Sequence, residues 1–444
     1  MNEHLICEEF ENFNEKLQIH NAALFFQLAS IFNLQGLNIT VFKYIERCFS
    51  IVNETENFHE LDFNLICKVL ASSSLQTDSE IEVYNAANKW LNYNIEERSK
   101  LTKQLLLKVR LNLLSKQALS YLLSESSHFS KNNNCVELLK NRDSFYQNDL
   151  TVHRKSRNCN QNMFNILIFG GFDNKERKYN NKVKEFDRNS FQKHKDLTSM
   201  LEDRVYSEAV YLKGEAYVFG GKSKKGFSKS VEKYSPVNKT WNQVTDIPDK
   251  RQHFCACAFI DIIYLFGGCI KGVGINSCLK FDAKTLKWEV IAKMNITRSR
   301  AACAIYEGNI VVSGGENIFV EHIAVESYDV FADIWTPMPN MIEARCNHSL
   351  ICFKSKLFAI GGGIILNANC EVYDKSSNVF VTLESPSFRS YKVKSVLVGN
   401  KIFVFQREKK VVLCYDCDKD KWSEESCEAT ENISHYSAVK MLSY

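Results

Sequence analysis

Ten histidines and sixteen cysteines are the side chains of this sequence best suited to hold a metal or attack a substrate. Their spacing argues against both. The histidines are spread singly, with no H-x-H or H-x-x-x-H pair to supply two ligands from one element. Cys414 and Cys417 form a lone C-x-x-C with no further ligands near it in sequence, and the strand-like pattern around them turns at least one thiol into a core. Cys255 and Cys257 alternate on another strand-like run, as buried thiols do. No G-x-S-x-G elbow, phosphate loop or G-x-G-x-x-G fingerprint occurs. The residue types point away from catalysis, cofactors and metals, and toward binding.

A second set of side chains is spaced for recognition. Arg204, Arg251, Arg298, Arg345 and Arg389 recur at intervals of 47, 47, 47 and 44 residues. Two positions beyond each, the side chain varies: Tyr206, His253, Arg300, Asn347 and Tyr391, with His435-Tyr436 in a sixth unit. A residue that stays constant suits a scaffold, so the arginines are read as holding loop carbonyls. Polar residues that vary at one geometric place suit a recognition ring; solvated strand starts are the plainer alternative.

These columns need elements to position them, and the second half of the chain supplies a repeat. Gly170-Gly171, Gly220-Gly221, Gly267-Gly268, Gly314-Gly315 and Gly361-Gly362 each close a short apolar run. Behind them follow Phe186, Tyr234, Phe281, Tyr328, Tyr373 and Tyr415 in one column, and seven residues on Trp241, Trp288, Trp335, Phe380 and Trp422. The first unit departs, with Phe191 only five residues after Phe186. In a sixth unit Gln406-Arg407 replaces the glycines, yet Tyr415 and Trp422 restore the pattern. Glycine pairs at strand ends permit positive φ and close backbone approach, and the aromatic columns supply the apolar area that packs sheet on sheet.

The first 150 residues have helical periodicity, with Leu65, Ile66, Val69 and Leu70 on one side of a helix. Thr77 and Glu80 are spaced as a capping box before an apolar face of Tyr84, Ala87 and Leu91, and Ser115 is placed to cap one more helix. The segment 151–163 is polar and aperiodic, as a linker is. With 45% hydrophobic and 24% charged residues the chain reads as globular. Its net charge of +4 is too small to argue for nucleic acid. Apolar runs stop short of a membrane span, no secretory signal opens the chain, and the scattered cysteines read as reduced thiols. The expected location is cytoplasmic, with the nucleus and the cytoskeleton as further settings.

A period near 47 carrying Gly-Gly, Tyr and Trp resembles the kelch repeat, one four-stranded blade of a β-propeller. The helical half is similar to the BACK domain that precedes the propeller in kelch-like proteins, with Leu75, Glu80, Val83, Trp90, Arg98, Leu105, Val109-Arg110 and Leu113-Leu114 carrying the match. The resemblance implies a multidomain α plus all-β chain. It further implies that residues 1–20 are the C-terminal remnant of a BTB domain lacking most of its core, 21–150 the three-box and BACK helices, 151–163 the linker, and 164–444 a six-bladed propeller. A spare strand at 435–442 is expected to complete the first blade and remove the open edge.

Kelch-like proteins are adaptors in which the BTB part grips a cullin and the propeller captures a substrate for ubiquitination; others bind actin. The resemblance implies a substrate-recognition adaptor of a cullin-RING ubiquitin ligase, with the missing BTB core putting the cullin partner in question. An actin or cytoskeletal binder, or a bare binding module, is the alternative; a kelch-type copper oxidase is disfavoured by the missing ligands. The loops between second and third strands carry net charges of +2, +4, +1, −2, 0 and +2, together +7 against +4 for the whole chain. A basic rim would steer an acidic segment and hold its carboxylates. The candidate partner-binding residues are Arg177, Lys178, Tyr206, Lys224, Lys225, His253, Arg300, Asn347, Tyr391 and Tyr436.

Overall fold

The computed structural model describes residue 17, residues 20–140 apart from 76, 78–79, 112–113, 115–121 and 124–127, and residues 164–442 apart from 188–189, 260–261, 319, 331, 354–355, 364–369, 387–391, 399, 407–410 and 428–432. Ser115 and the segment 151–163 lie outside the described residues. The chain divides into two compact units, Met1–Asn160 and Gln161–Tyr444.

In the first unit, apolar residues three and four apart form helices that include Ala22–Ile31, Gln35–Arg47, Phe63–Ala71, Glu80–Tyr93 and Asn133–Lys140. Asp62 starts the third of these by accepting the Leu65 N–H at 2.9 Å. Leu65, Ile66, Val69 and Leu70 are all buried, as their spacing predicts. Trp90 is buried and donates its indole N–H to the Leu61 carbonyl at 2.7 Å, while the Arg98 guanidinium stacks 3.9 Å from its ring centroid. Glu80 accepts the Arg110 backbone N–H at 3.1 Å, and Thr77 donates its hydroxyl to Glu82. Trp90, Arg98, Glu80 and Arg110 are therefore staples between helices.

The second unit is a ring of six antiparallel four-stranded sheets, here blades 1 to 6 with strands a to d from the axis outward. Blade 2 has strands Glu208–Leu212, Glu215–Phe219, Val231–Ser235 and Thr240–Gln243. Blade 3 has Cys255–Phe259, Ile262–Phe266, Cys278–Asp282 and Lys287–Ile291, and blade 4 has Ala302–Tyr306, Asn309–Ser313, Val325–Asp329 and Ile334–Met338. Blade 5 has Ser349–Phe353, Lys356–Ile360, Cys370–Asp374 and Val379–Leu383. Blade 6 has Val393–Val398, Lys401–Gln406, Val411–Asp416 and Lys421–Ser426, so its second strand forms without the glycine pair. Blade 1 is built from both ends of the unit: Phe164–Phe169, Val183–Asp187 and Ser190–Leu197 supply b to d, and Ser437–Leu442 supplies a. Ile166 pairs with Lys440 and Phe169 with Ser437, and each a strand touches its two neighbours around the axis. The C-terminal strand supplies the inner strand of blade 1 and closes the ring, covering the Phe164–Phe169 edge.

The repeated residues do repeated work. Gly267 and Gly268 have φ of +58° and +96°, and a Cβ at Gly268 would stand 2.7 Å from the Gln252 carbonyl oxygen of the adjoining loop. Both positions therefore demand glycine. Tyr234 pairs with Trp241, Phe281 with Trp288, Tyr328 with Trp335, Tyr373 with Phe380 and Tyr415 with Trp422 across strands c and d. Trp241 and Trp335 then donate their indole N–H groups to Thr198 and Ala292 of the preceding blade at 2.8 and 2.9 Å. In blade 1 it is His194, not Phe191, that stands opposite Phe186, because the c–d register shifts after that residue.

Candidate recognition face

The arginine column builds the loops from which this face projects. Arg298 is fully buried; its Nη1 donates to the Gly314 and Ala324 carbonyls at 2.6 and 2.7 Å, and its Nη2 to Glu326 at 2.8 Å. Its own carbonyl accepts the Gly268 N–H at 2.8 Å, so one residue joins the ends of strands b in blades 3 and 4. Arg204 and Arg345 repeat this with Glu232 and Glu371. Arg251 finds Leu279 where the others find glutamate and turns to Asp249, at 2.6 Å. Arg389 lies outside the described residues.

Two residues on, the chain turns sharply. Tyr206, His253, Arg300, Asn347 and His435 all have φ between +54° and +61°. Neighbouring turns are stitched around the axis by main-chain bonds: Tyr206 N–H to the His435 carbonyl at 3.3 Å, Arg300 to His253 at 2.7 Å, and Asn347 to Arg300 at 2.9 Å. The Tyr206 ring lies 4.4 Å from His253 and 4.5 Å from His435, so the ring converges on the axis.

Strand pairing corrects two of the sequence assignments. Tyr436 is 5% exposed and sits in the core between blades 6 and 1; the residue of that pair on the face is His435, because Ser437 opposite Phe169 sets the register. In blade 6, Lys394 pairs with Phe405 as Glu208 pairs with Phe219, which places Lys392 at the position that Tyr206 holds in blade 2. Counting two residues from Arg389 gives Tyr391, one short; Tyr391 itself lies outside the described residues. The Lys392 ammonium stands 5.2 Å over the Tyr206 ring and 3.4 Å from His435 Nδ1. Below it Lys394 and Glu208, 186 residues apart, pair at 2.5 Å across the mouth of the axis. The sequence carried one hint of these: lysines in the a strand of blade 6, where the other blades place mostly small or apolar residues.

Lys392, Arg300, Asn347 and His253 line a cavity of about 30 Å3 at the axis, room for a water or two. Burial first, then the Lys392 and Arg300 charges, hold the His253 imidazole down at about 2, so it is neutral at physiological pH. Arg300 Nη1 donates to Glu316 at 2.5 Å, and a ligand carboxylate would address the other guanidinium N–H groups.

Hairpins between strands b and c surround this ring. Val205 bridges Lys222, Gln252 bridges Cys269, and Ser299 bridges Glu316, so each hairpin starts beside a turn residue and shares its face. Arg177, Lys178, Lys224 and Lys225 are all exposed at hairpin tips, with Lys178 paired to Glu176. The cationic residues of blades 1 and 2 are thus set on the rim, outside the axial ring.

Among the described residues, no three His, Cys, Asp or Glu side chains are grouped to hold a metal. Cys414 is buried in the core between blades 6 and 1. Contact with Cys303 and burial push the Cys255 thiol well above its ordinary range, which suppresses the thiolate. No described helix is long and apolar enough to cross a membrane.

Comparison with known proteins matches residues 22–124 to the family model BTB And C-terminal Kelch, and residues 159–362 to the KLHDC2/KLHL20/DRC7 Kelch-repeats domain. Kelch-like protein 7 of Mus musculus is 28% identical over 441 residues, covering 94% of this chain and 72% of that protein. Its counterpart in Homo sapiens is 27% identical, covering 80% and 61%. Kelch-like protein 36 of Bos taurus is 24% identical, covering 94% and 72%.

Proposed function

Because the chain belongs to the kelch-like family, we propose that it is a protein-binding adaptor whose propeller captures an acidic segment on the hairpin face and presents it to a cullin-RING ubiquitin ligase. One observation carries the first part of this reading. Side chains of five blades converge at a single left-handed turn around the axis, and cationic hairpins stand directly beside two of them. Such a ring presents different chemistry at each of its positions on a rigid support, which is how a fixed scaffold reads a peptide. Arg300 and Lys392 offer charge-assisted hydrogen bonds at the centre, while Arg177, Lys224 and Lys225 raise the encounter rate from the rim.

The test is a titration of the full chain with a fluorescein-labelled peptide alternating Asp, Gly and Ser, and with its counterpart carrying Lys for Asp. Tighter binding of the acidic peptide, weakening between roughly 50 and 300 mM salt, is expected because exposed charges are screened over that range. Equal and salt-insensitive binding of the two would end the proposal. The ligase step is tested separately: cullin is expected to co-purify with the tagged chain, and co-sedimentation with actin filaments in its absence would favour a cytoskeletal role.

A further inference from the structure

The four described hairpins of the face differ in chemistry. Blades 1 and 2 place Lys175, Arg177, Lys224 and Lys225 at their tips; blades 3 and 4 place Val273, Ile318 and Val320 there, 65%, 78% and 64% exposed. The aliphatic tips are neighbours: a Cβ on Gly274 of the blade 3 hairpin would stand 3.4 Å from the Asn317 side-chain oxygen of the blade 4 hairpin. The carboxylates of blade 4 face other partners, with Glu316 on Arg300 and Glu321 accepting from the Cys346 thiol at 3.0 Å. Apart from Lys271 in the blade 3 turn, the exposed tip side chains of this sector are aliphatic.

A second observation is independent of exposure. Ile318 has φ of +47°. A β-branched residue is an outlier in the left-handed region, where Gly or Asn sits at little cost. The matching position of blade 3 holds Lys271 at +51°, which lacks the branch. Here strain is kept in order to hold an aliphatic side chain out in water, the combination expected of a contact residue and not of a hairpin shaped for stability.

We infer that Val273, Ile318 and Val320 form an apolar docking sector for the same partner segment, so that the partner is a linear peptide pairing an aliphatic or aromatic anchor with an acidic cluster. This rests on the acidic-segment reading, because the neighbouring cationic hairpins are what commit the occupant to carry acid beside its anchor. Burial of the anchor supplies affinity and the charges supply orientation.

The probe is a phage library of random linear peptides, panned on the full chain. Enriched sequences are expected to combine an acidic cluster with an aliphatic or aromatic residue. Against a synthetic peptide from that set, Ile318→Asn is expected to bind about tenfold more weakly or worse, while its thermal midpoint is unchanged or higher because the strain is relieved. Val320→Asn should weaken binding as well. Val237→Asn, at a residue 62% exposed on the turn between strands c and d of blade 2, should change nothing. Acidic-only enrichment, with Ile318→Asn binding like the parent, would remove the apolar sector and leave acidic docking in place. Absence of any enrichment over an unrelated propeller would remove both.

Discussion

Two columns of the propeller lie two residues apart on the same loops and have opposite characters. Arg204, Arg251, Arg298 and Arg345 are identical and fully buried. Tyr206, His253, Arg300 and Asn347 share one backbone conformation, are partly exposed, and have nothing else in common. The difference lies in what each column meets. The arginines address main-chain carbonyls that recur at the same place in blades 2 to 5, so one side chain answers all four. The second column addresses the axis and solvent, where no repeated partner constrains the choice. Constancy here marks support; variation marks side chains that the repeat does not fix, the set we propose reads a partner.

The contrast can be broken from its most costly end. Arg298→Ala should destabilise the propeller by about 3–5 kcal/mol, because Glu326 is left charged and buried. Arg251→Ala should cost less, about 1–3 kcal/mol, since Asp249 is one-third exposed and can rehydrate. Denaturant unfolding followed by tryptophan fluorescence measures both; equal losses would show that the buried glutamate adds nothing to the column.

A titration sharpens the same loop. Burial holds the His348 imidazole at about 3, well below its ordinary range, with Arg345 a lesser cause. The folded state therefore binds fewer protons than the unfolded chain between about pH 3 and 6.5, and stability falls as pH drops through that window. The slope from this group is at most about 1.4 kcal/mol per pH unit. His348→Gln is expected to flatten the stability curve between pH 6.5 and 5, and an unchanged slope would place the sensitivity elsewhere. The smallest stability effect belongs to the variable column. Arg300→Ala should shift unfolding by less than about 1 kcal/mol, since its ion pair is partly exposed, while weakening acidic-peptide binding about tenfold. A large stability loss would make Arg300 a support like Arg298.

Much of this architecture was legible because the repeat is its own control. Gly267-Gly268 and the Phe281–Trp288 pair answer to local demands, a left-handed turn and a blade-to-blade contact, that return every 47 residues. The closing strand was legible for a similar reason, since a first blade lacking its inner strand needs the spare one at the C-terminus. The candidate site was less legible. Counting from Arg389 led to Tyr391 and missed Lys392, because loop lengths change between blades while hydrogen-bond pairing alone sets the register of strand a. Tyr436 looked like a face residue for the same reason and is core.

From the amino-acid order alone came the repeat, the number of blades, the ring closure and the distinction between a constant and a varying column. Each of these follows from interactions between residues close in sequence or from a period that can be counted. Only the tertiary structure decided which side chains meet at the axis, where Glu208 and Lys394 pair across 186 residues of chain. It alone set the Val273 hairpin beside that of Ile318. Those juxtapositions arise when the six sheets pack into a ring, and their geometry is a property of the whole circle that no single repeat contains.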